Sequence, residues 1–157
     1  MPTTWNTNAG GLTIAGIDVC NGGWCRVLNL LELWLPADQR GSDKVIPGVS
    51  GVKARPRRDT ATRRSLRLQV AGDITYAGST SGDAYERLAT NIDYIRSALV
   101  APPGTSTGTR SAVLTMPDGA SRTEDVHVIG FELGKFAEDA RWALGVLELS
   151  IPSGRIQ

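Results

Sequence analysis

Few groups in this chain could make or break bonds. His127 is the only histidine among the 157 residues. It lies in Asp125-Val126-His127-Val128-Ile129, an alternating run of strand type. A general-base or ligand role there competes with that of a solvent-facing or satisfied strand residue, and the second is expected. One histidine, two cysteines and no H-E-x-x-H leave a zinc site short of ligands. Gly78-Ser79-Thr80-Ser81-Gly82 has the spacing of a nucleophile elbow, but its centre is threonine, so it reads as a small-residue loop. No glycine-rich phosphate cradle is present. Glu124-Asp125 and Glu138-Asp139 are adjacent carboxylates, and neighbours on a strand point to opposite faces, so both read as solvated charges. No catalytic, cofactor or metal residues are expected, and the chain is not expected to be an enzyme.

Cys20 and Cys25 flank Asn21-Gly22, a strong hairpin turn signal that could bring two thiols together across a ladder. Free thiols are the expected state, although a disulfide stays open. Trp5, Trp24, Trp34 and Trp142 could stack sugars, but apolar surroundings favour core or interface packing.

The densest chemistry is basic. Lys53, Arg55, Arg57, Arg58, Arg63, Arg64 and Arg67 place seven of seventeen cations in one short stretch, with Asp59 the only acid among them. Phosphate binding is one reading, but no aromatic residue is interleaved on which a base could stack. A solvated loop is another. The third is self-assembly, because Glu124, Asp125, Glu132, Glu138, Asp139 and Glu148 concentrate acid toward the C-terminus. A basic and an acidic region on one chain suit head-to-tail contacts, which close into rings when the rotation permits. Arginine outnumbers lysine six to one there, which fits bidentate pairing.

These residues need elements to hold them. Residues 1–10 read as a loose arm with Trp5 as an anchor. Strands are expected at 12–18 and 24–35, broken at 36–41. An extended basic loop covers 41–64, with a short strand at Val45-Ile46. Leu66, Leu68 and Val70 then alternate with polar residues, a half-buried strand ended by Gly72-Asp73. Asp83 with Glu86 makes a capping box, and Leu88, Ile92, Ile95 and Leu99 form one apolar stripe. Pro102-Pro103 closes that helix, giving a span of about 82–101. After a loop at 104–108 come strands at 110–116, 123–134 and 140–151, the first two joined by Pro117-Asp118-Gly119. In the last, the apolar alternation changes phase, predicting a bulge near 145–147 or burial of both faces.

Length fits one domain over 1–157, and 41% hydrophobic with 21% charged residues is ordinary for a globular protein. A net charge of +1 points to neither nucleic acid nor membrane. The N-terminus has no basic start of a signal peptide, and no apolar run is long enough for a span, so a soluble cytosolic-type domain is expected. The fold class expected is mainly β (α+β): an antiparallel β-sandwich or barrel with one flanking α-helix.

The layout resembles the distal tail and tail-tube-related minor tail proteins of long-tailed bacteriophages. Gly11-Leu12-Thr13-Ile14-Ala15-Gly16-Ile17 resembles their first strand and turn, and residues 24–35 the next strand. Val45-Ile46-Pro47-Gly48-Val49-Ser50-Gly51, running into Arg55-Pro56-Arg57-Arg58-Asp59, looks like the family's long loop. Residues 64–72 and the helix that follows also match. The resemblance implies a structural virion protein: a hexameric ring between the tail tube protein and the tip or hub proteins, assembled in host cytoplasm. Genome DNA would pass through the lumen without specific binding. It implies interface roles for Arg55, Arg57, Arg58, Arg63 and Arg64, with Glu124, Asp125 and Glu132 as acceptors. Ending at Gln157, the chain is expected to lack an added C-terminal domain. A tube, tube-terminator or completion role, a nucleic-acid-binding module and a lectin-like module are the alternatives.

Overall fold

A computed structural model describes residues 10–34, 39–40, 44–45, 52–53, 58–59, 62–100 and 109–152. The expected arm at 1–10, save Gly10, and the loop at 104–108 lie outside them. The strands are β1 (Gly11–Ile14), β2 (Ile17–Asp18), β3 (Cys25–Val27), β4 (Gln39–Arg40), β5 (Lys44–Val45), β6 (Val52–Lys53), β7 (Arg58–Asp59), β8 (Thr62–Ala71), β9 (Thr109–Thr115), β10 (Ser121–Phe136) and β11 (Trp142–Ile151). Helix α1 (Ala84–Ala98) lies between β8 and β9. Seven strands form one antiparallel sheet in the order β2-β1-β9-β10-β11-β8-β3. This is the β-rich α+β architecture the sequence predicts.

The sheet must curl. Seven strands spaced ~4.8 Å apart would put β2 and β3 roughly 29 Å from one another if flat. The segment linking those two edges, residues 19–24, reaches at most ~24 Å when fully extended. It is not extended, because the Val19 N–H bonds back to the Leu12 carbonyl at 3.0 Å. Val19, Cys20 and Trp24 of that segment are buried.

Alternation fills the inside of the curl. Leu66, Leu68 and Val70 of β8 are fully buried, as are Leu12 and Ile14 of β1 and Ala112 and Leu114 of β9. Helix α1 lies against β8 and β10 with Leu88, Ile92 and Ile95 inward, and Leu99 of its C-cap is buried too. Burying each such side chain is worth roughly 1.5–3 kcal/mol. The capping box forms as expected: Asp83 accepts from the Glu86 N–H at 2.8 Å and the Glu86 carboxylate accepts from the Asp83 N–H. Caps contribute about 1 kcal/mol, so packing of the stripe dominates.

Three expectations at the first half are corrected. The single strand at 12–18 is a hairpin, because Ala15 and Gly16 both take positive φ (53° and 79°). Two consecutive left-handed residues make the tight turn whose twist suits paired strands. Asn21-Gly22 joins no ladder: β2 and β3 stand at opposite edges of the sheet. The strand expected over 24–35 stops at Val27. The Asn29 side chain donates to the Ser65 carbonyl and accepts the Arg67 N–H, taking up β8 groups that the next strand residue would have bonded. The chain then turns into a 3-10 helix, Leu30–Trp34, which buries Leu30 and Leu33.

At the other end, β11 keeps one phase throughout. Ala143, Gly145, Leu147, Leu149 and Ile151 are buried, while Trp142, Leu144 and Val146 are half-buried on the other face. The irregularities lie in β10 opposite it, between Val128 and Gly130 and between Leu133 and Lys135. Gly145 is small for a reason: a Cβ there would come within 2.6 Å of the Phe131 ring.

The loop from Gly72 to Gly82 is fastened to α1 by two side chains. Asn91, fully buried, donates to the carbonyls of Ala71 and Ile74 at 2.8 Å each and accepts the Tyr76 N–H at 2.7 Å. Arg87 donates to the carbonyls of Gly72, Thr80, Ser81 and Gly82. Among the described residues no helix is long and apolar enough to cross a membrane.

Candidate functional site: a charged sheet face and a hairpin arm

Strand alternation that buries one face of the sheet presents the other to solvent. On β8 the outward positions are Arg63, Ser65, Arg67 and Gln69. Cross-strand register sets them in rows: Arg63 beside Ser150 and then His127, and Arg67 beside Val146 and then Glu132. A third row runs from Arg26 of β3 through Gln69 and Leu144 to Lys135, with the Arg26 Nε donating to Gln69 at 2.9 Å. Both signs of charge are interleaved over this face, held on a rigid ladder.

The expected interface residues separate. Arg63, Asp125 and Glu132 are exposed and lie on the outer face. Arg64 and Glu124 are only half-exposed and fall on the opposite side of their strands, beside Leu149 and Ala112 respectively. The period of two that separates Glu124 from Asp125 also separates Arg63 from Arg64. Arg55 and Arg57 lie outside the described residues; the backbone of Arg58 pairs with Arg40. His127 stands exposed on β10, as its alternating surroundings predict.

Of the extended loop expected over 41–64, the described residues 44–45, 52–53, 58–59 and 62–64 are in strands and the rest lie outside the described residues. Gln39 pairs with Asp59 and Arg40 with Arg58; inside that ribbon, Lys44 pairs with Lys53 and Val45 with Val52. These are two short antiparallel ribbons, one nested within the other in sequence, and both precede β8. The stretch 39–59, the arm, contains Lys53, Arg55, Arg57 and Arg58 in sequence; of these only the backbones of Lys53 and Arg58 are among the described residues.

Nucleophilic chemistry finds no support in the thiols. Cys20 and Cys25 are free and buried, and burial pushes both up from the ordinary thiol value of 9.0. Protonated thiols in an apolar core are inert. Of the four tryptophans, Trp24 is buried and Trp142 half-buried; Trp5 and the Trp34 side chain lie outside the described residues. No group of three metal-ligating side chains occurs among the described residues.

Comparison with solved structures gives the fold a relative: the Dit protein (gp 19.1) of phage SPP1. Its crystal structure is described as a paradigm of the hub adsorption apparatus in phages that infect Gram-positive hosts. The TM-score is 0.57 at 16% sequence identity. The two proteins share a fold. The likeness covers 93% of this chain and 51% of the Dit chain, so this chain spans about half of that protein's length. No family model matches the sequence, and no curated protein does.

Proposed function

We propose that this chain is a structural protein of a bacteriophage tail, part of a ring that connects the tail tube to the tip or baseplate. The observation that carries the reading is the fold shared with a phage hub protein over nearly the whole chain. The ring is proposed to be hexameric, with tail tube and tip or hub proteins as neighbours, built in host cytoplasm and retained in the virion. Its work is assembly, without catalytic turnover or a cofactor. Other tail-tube-fold roles, as tube, tube terminator or completion protein, use the same surfaces.

Two features support assembly. The sheet keeps two short edge strands, β2 and β3, which natural proteins pair or cover. The basic stretch containing Arg55, Arg57 and Arg58 has acidic counterparts in Asp125 and Glu132 on the outer face. Glu124, half-exposed on the opposite side of β10, is the third proposed acceptor. Arg63 and Arg64 then stand at the root of the arm.

Native mass spectrometry of the full chain tests the ring, with a hexamer expected. A monomer at high concentration would overturn it. Charge reversal of Arg57 and Arg58 tests the arm: in a phage carrying this protein, assembled tails are expected to fall sharply, and normal tail yield refutes the interface role.

A further inference from the structure

A cleft of about 300 Å3 opens beside β2, between the Ala15-Gly16 turn and the loop after β8. Its working groups are Asp18, Trp24, Tyr76 and Tyr94. The Tyr76 and Tyr94 rings stack with centroids 3.6 Å apart and planes 7° from parallel. Trp24, buried beneath, meets both edge-on at 6.4 and 5.9 Å. One face of the Tyr76 ring is therefore occupied, and the residue is still 42% exposed. Exposed aromatic rings on loops are usually free to move. This one is anchored, because the Tyr76 N–H bonds to Asn91, whose amide also holds two loop carbonyls.

Asp18 adds charge. Its Oδ1 accepts the N–H groups of Cys20 and Asn21 at 2.9 Å each, which fixes the carboxylate at the cleft. Among the described residues its Oδ2 has no hydrogen-bond partner and no cationic side chain lines the cleft. A rigid π face next to a carboxylate oxygen attracts a planar cation. A guanidinium fits both requirements, stacking on the ring while donating to the carboxylate.

The same chain carries such cations in sequence at Arg55, Arg57 and Arg58 of the arm. We infer that the Asp18–Tyr76–Tyr94 cleft of one copy is the socket for an arginine on the arm of a neighbouring copy. The inference rests on the ring-assembly reading and names a contact within it. It assigns the arm an aromatic and acidic receptor that is separate from the outer-face acids. The charge match argues for this occupant: three arginines, Arg55, Arg57 and Arg58, in the stretch ahead of β8, against a carboxylate oxygen with no hydrogen-bond partner among the described residues at a preformed ring stack.

The test uses the full chain with p-benzoylphenylalanine in place of Tyr76, mixing isotopically heavy and light copies. Irradiation should give heavy–light crosslinks that map to the 53–58 region. In parallel, Asp18→Asn keeps the Oδ1 acceptor and removes the charge, and Tyr76→Leu removes the ring face. Each should raise the dissociation constant of the assembly at least tenfold with the unfolding midpoint little changed, while Tyr76→Phe stays close to the parent chain. Unchanged assembly in both variants overturns the socket and leaves the ring standing. Crosslinks confined to one copy, or directed away from the arm, overturn it too. Glycan binding lost in Tyr76→Leu with assembly intact would reassign the cleft to a sugar. A parent chain that stays monomeric defeats the socket and the ring together.

Discussion

Replacing Asn91 by alanine should be among the costliest single changes outside the apolar core. The side chain is fully buried and makes three hydrogen bonds of 2.7–2.8 Å, all to backbone groups of the loop between β8 and α1. Truncation leaves the Ala71 and Ile74 carbonyls facing a small cavity and frees the Tyr76 N–H. Each buried backbone group left unsatisfied costs about 1–3 kcal/mol. Tyr76 is exposed enough for its N–H to reach water, so the two carbonyls set the figure at about 3 kcal/mol. At ~2–4 °C per kcal/mol for a chain of this size, the melting temperature should drop by roughly 6–12 °C. Urea unfolding followed by tryptophan fluorescence reports it directly, since Trp24 packs on Tyr76 and Tyr94. A loss below about 1 kcal/mol with an unchanged denaturant slope would show that the amide does not fasten the loop. Asn91→Asp sharpens the test. Its carboxylate would face two carbonyls, and protonation would restore one donor, so its folded-state pKa is raised. The stability of that variant should therefore be greatest below about pH 4 relative to the parent chain and fall as pH rises through the folded-state value.

Other outcomes follow from the same structure. Ala15→Asn should stabilise the chain by about 0.5–1 kcal/mol in thermal melts, because asparagine tolerates the left-handed backbone that Ala15 adopts at φ 53°. Gly145→Val should cost several kcal/mol by driving a side chain into the Phe131 ring, readable as a lower urea midpoint; Val146→Ala, on the other face of β11, should cost about 1 kcal/mol or less. Alkaline titration should weaken the fold. Below pH 9.0 both thiols are protonated in folded and unfolded chains; above it the unfolded chain releases those protons first, so stability falls with rising pH. Cys25→Ala should flatten that alkaline slope in denaturation curves measured at pH 8 and 10.

What the sequence disclosed, and what it hid, divides along physical lines. The helix was legible because a capping box and a stripe at three- and four-residue spacing are local signals, and both occur as read. So was β8, whose single buried face imposes a clean period of two. The run from Trp24 to Leu35 misled because composition alone does not separate a strand from a turn of 3-10 helix. A nonlocal hydrogen bond decides there: Asn29 reaches β8 across the sheet. The apparent phase change in β11 arose from half-buried apolar residues on its outer face, including Leu144 and Val146, while the bulges sit on the partner strand. Of the candidate site, the basic arm was visible as a cluster of arginines. The Tyr76 cleft was not, since Asp18, Trp24, Tyr76 and Tyr94 come from separate segments that only the folded loop unites.

The strand order has a consequence for how the molecule is made. Gly11 pairs with Thr115, so β1 leaves the ribosome about a hundred residues before its partner β9. Until then the β1–β2 hairpin has no sheet to join, and an isolated hairpin is marginal in water. The arm is synthesised during that wait, ahead of β8. A chaperone or a sister chain that holds the nascent hairpin until β9 arrives would therefore raise the yield of correctly folded protein.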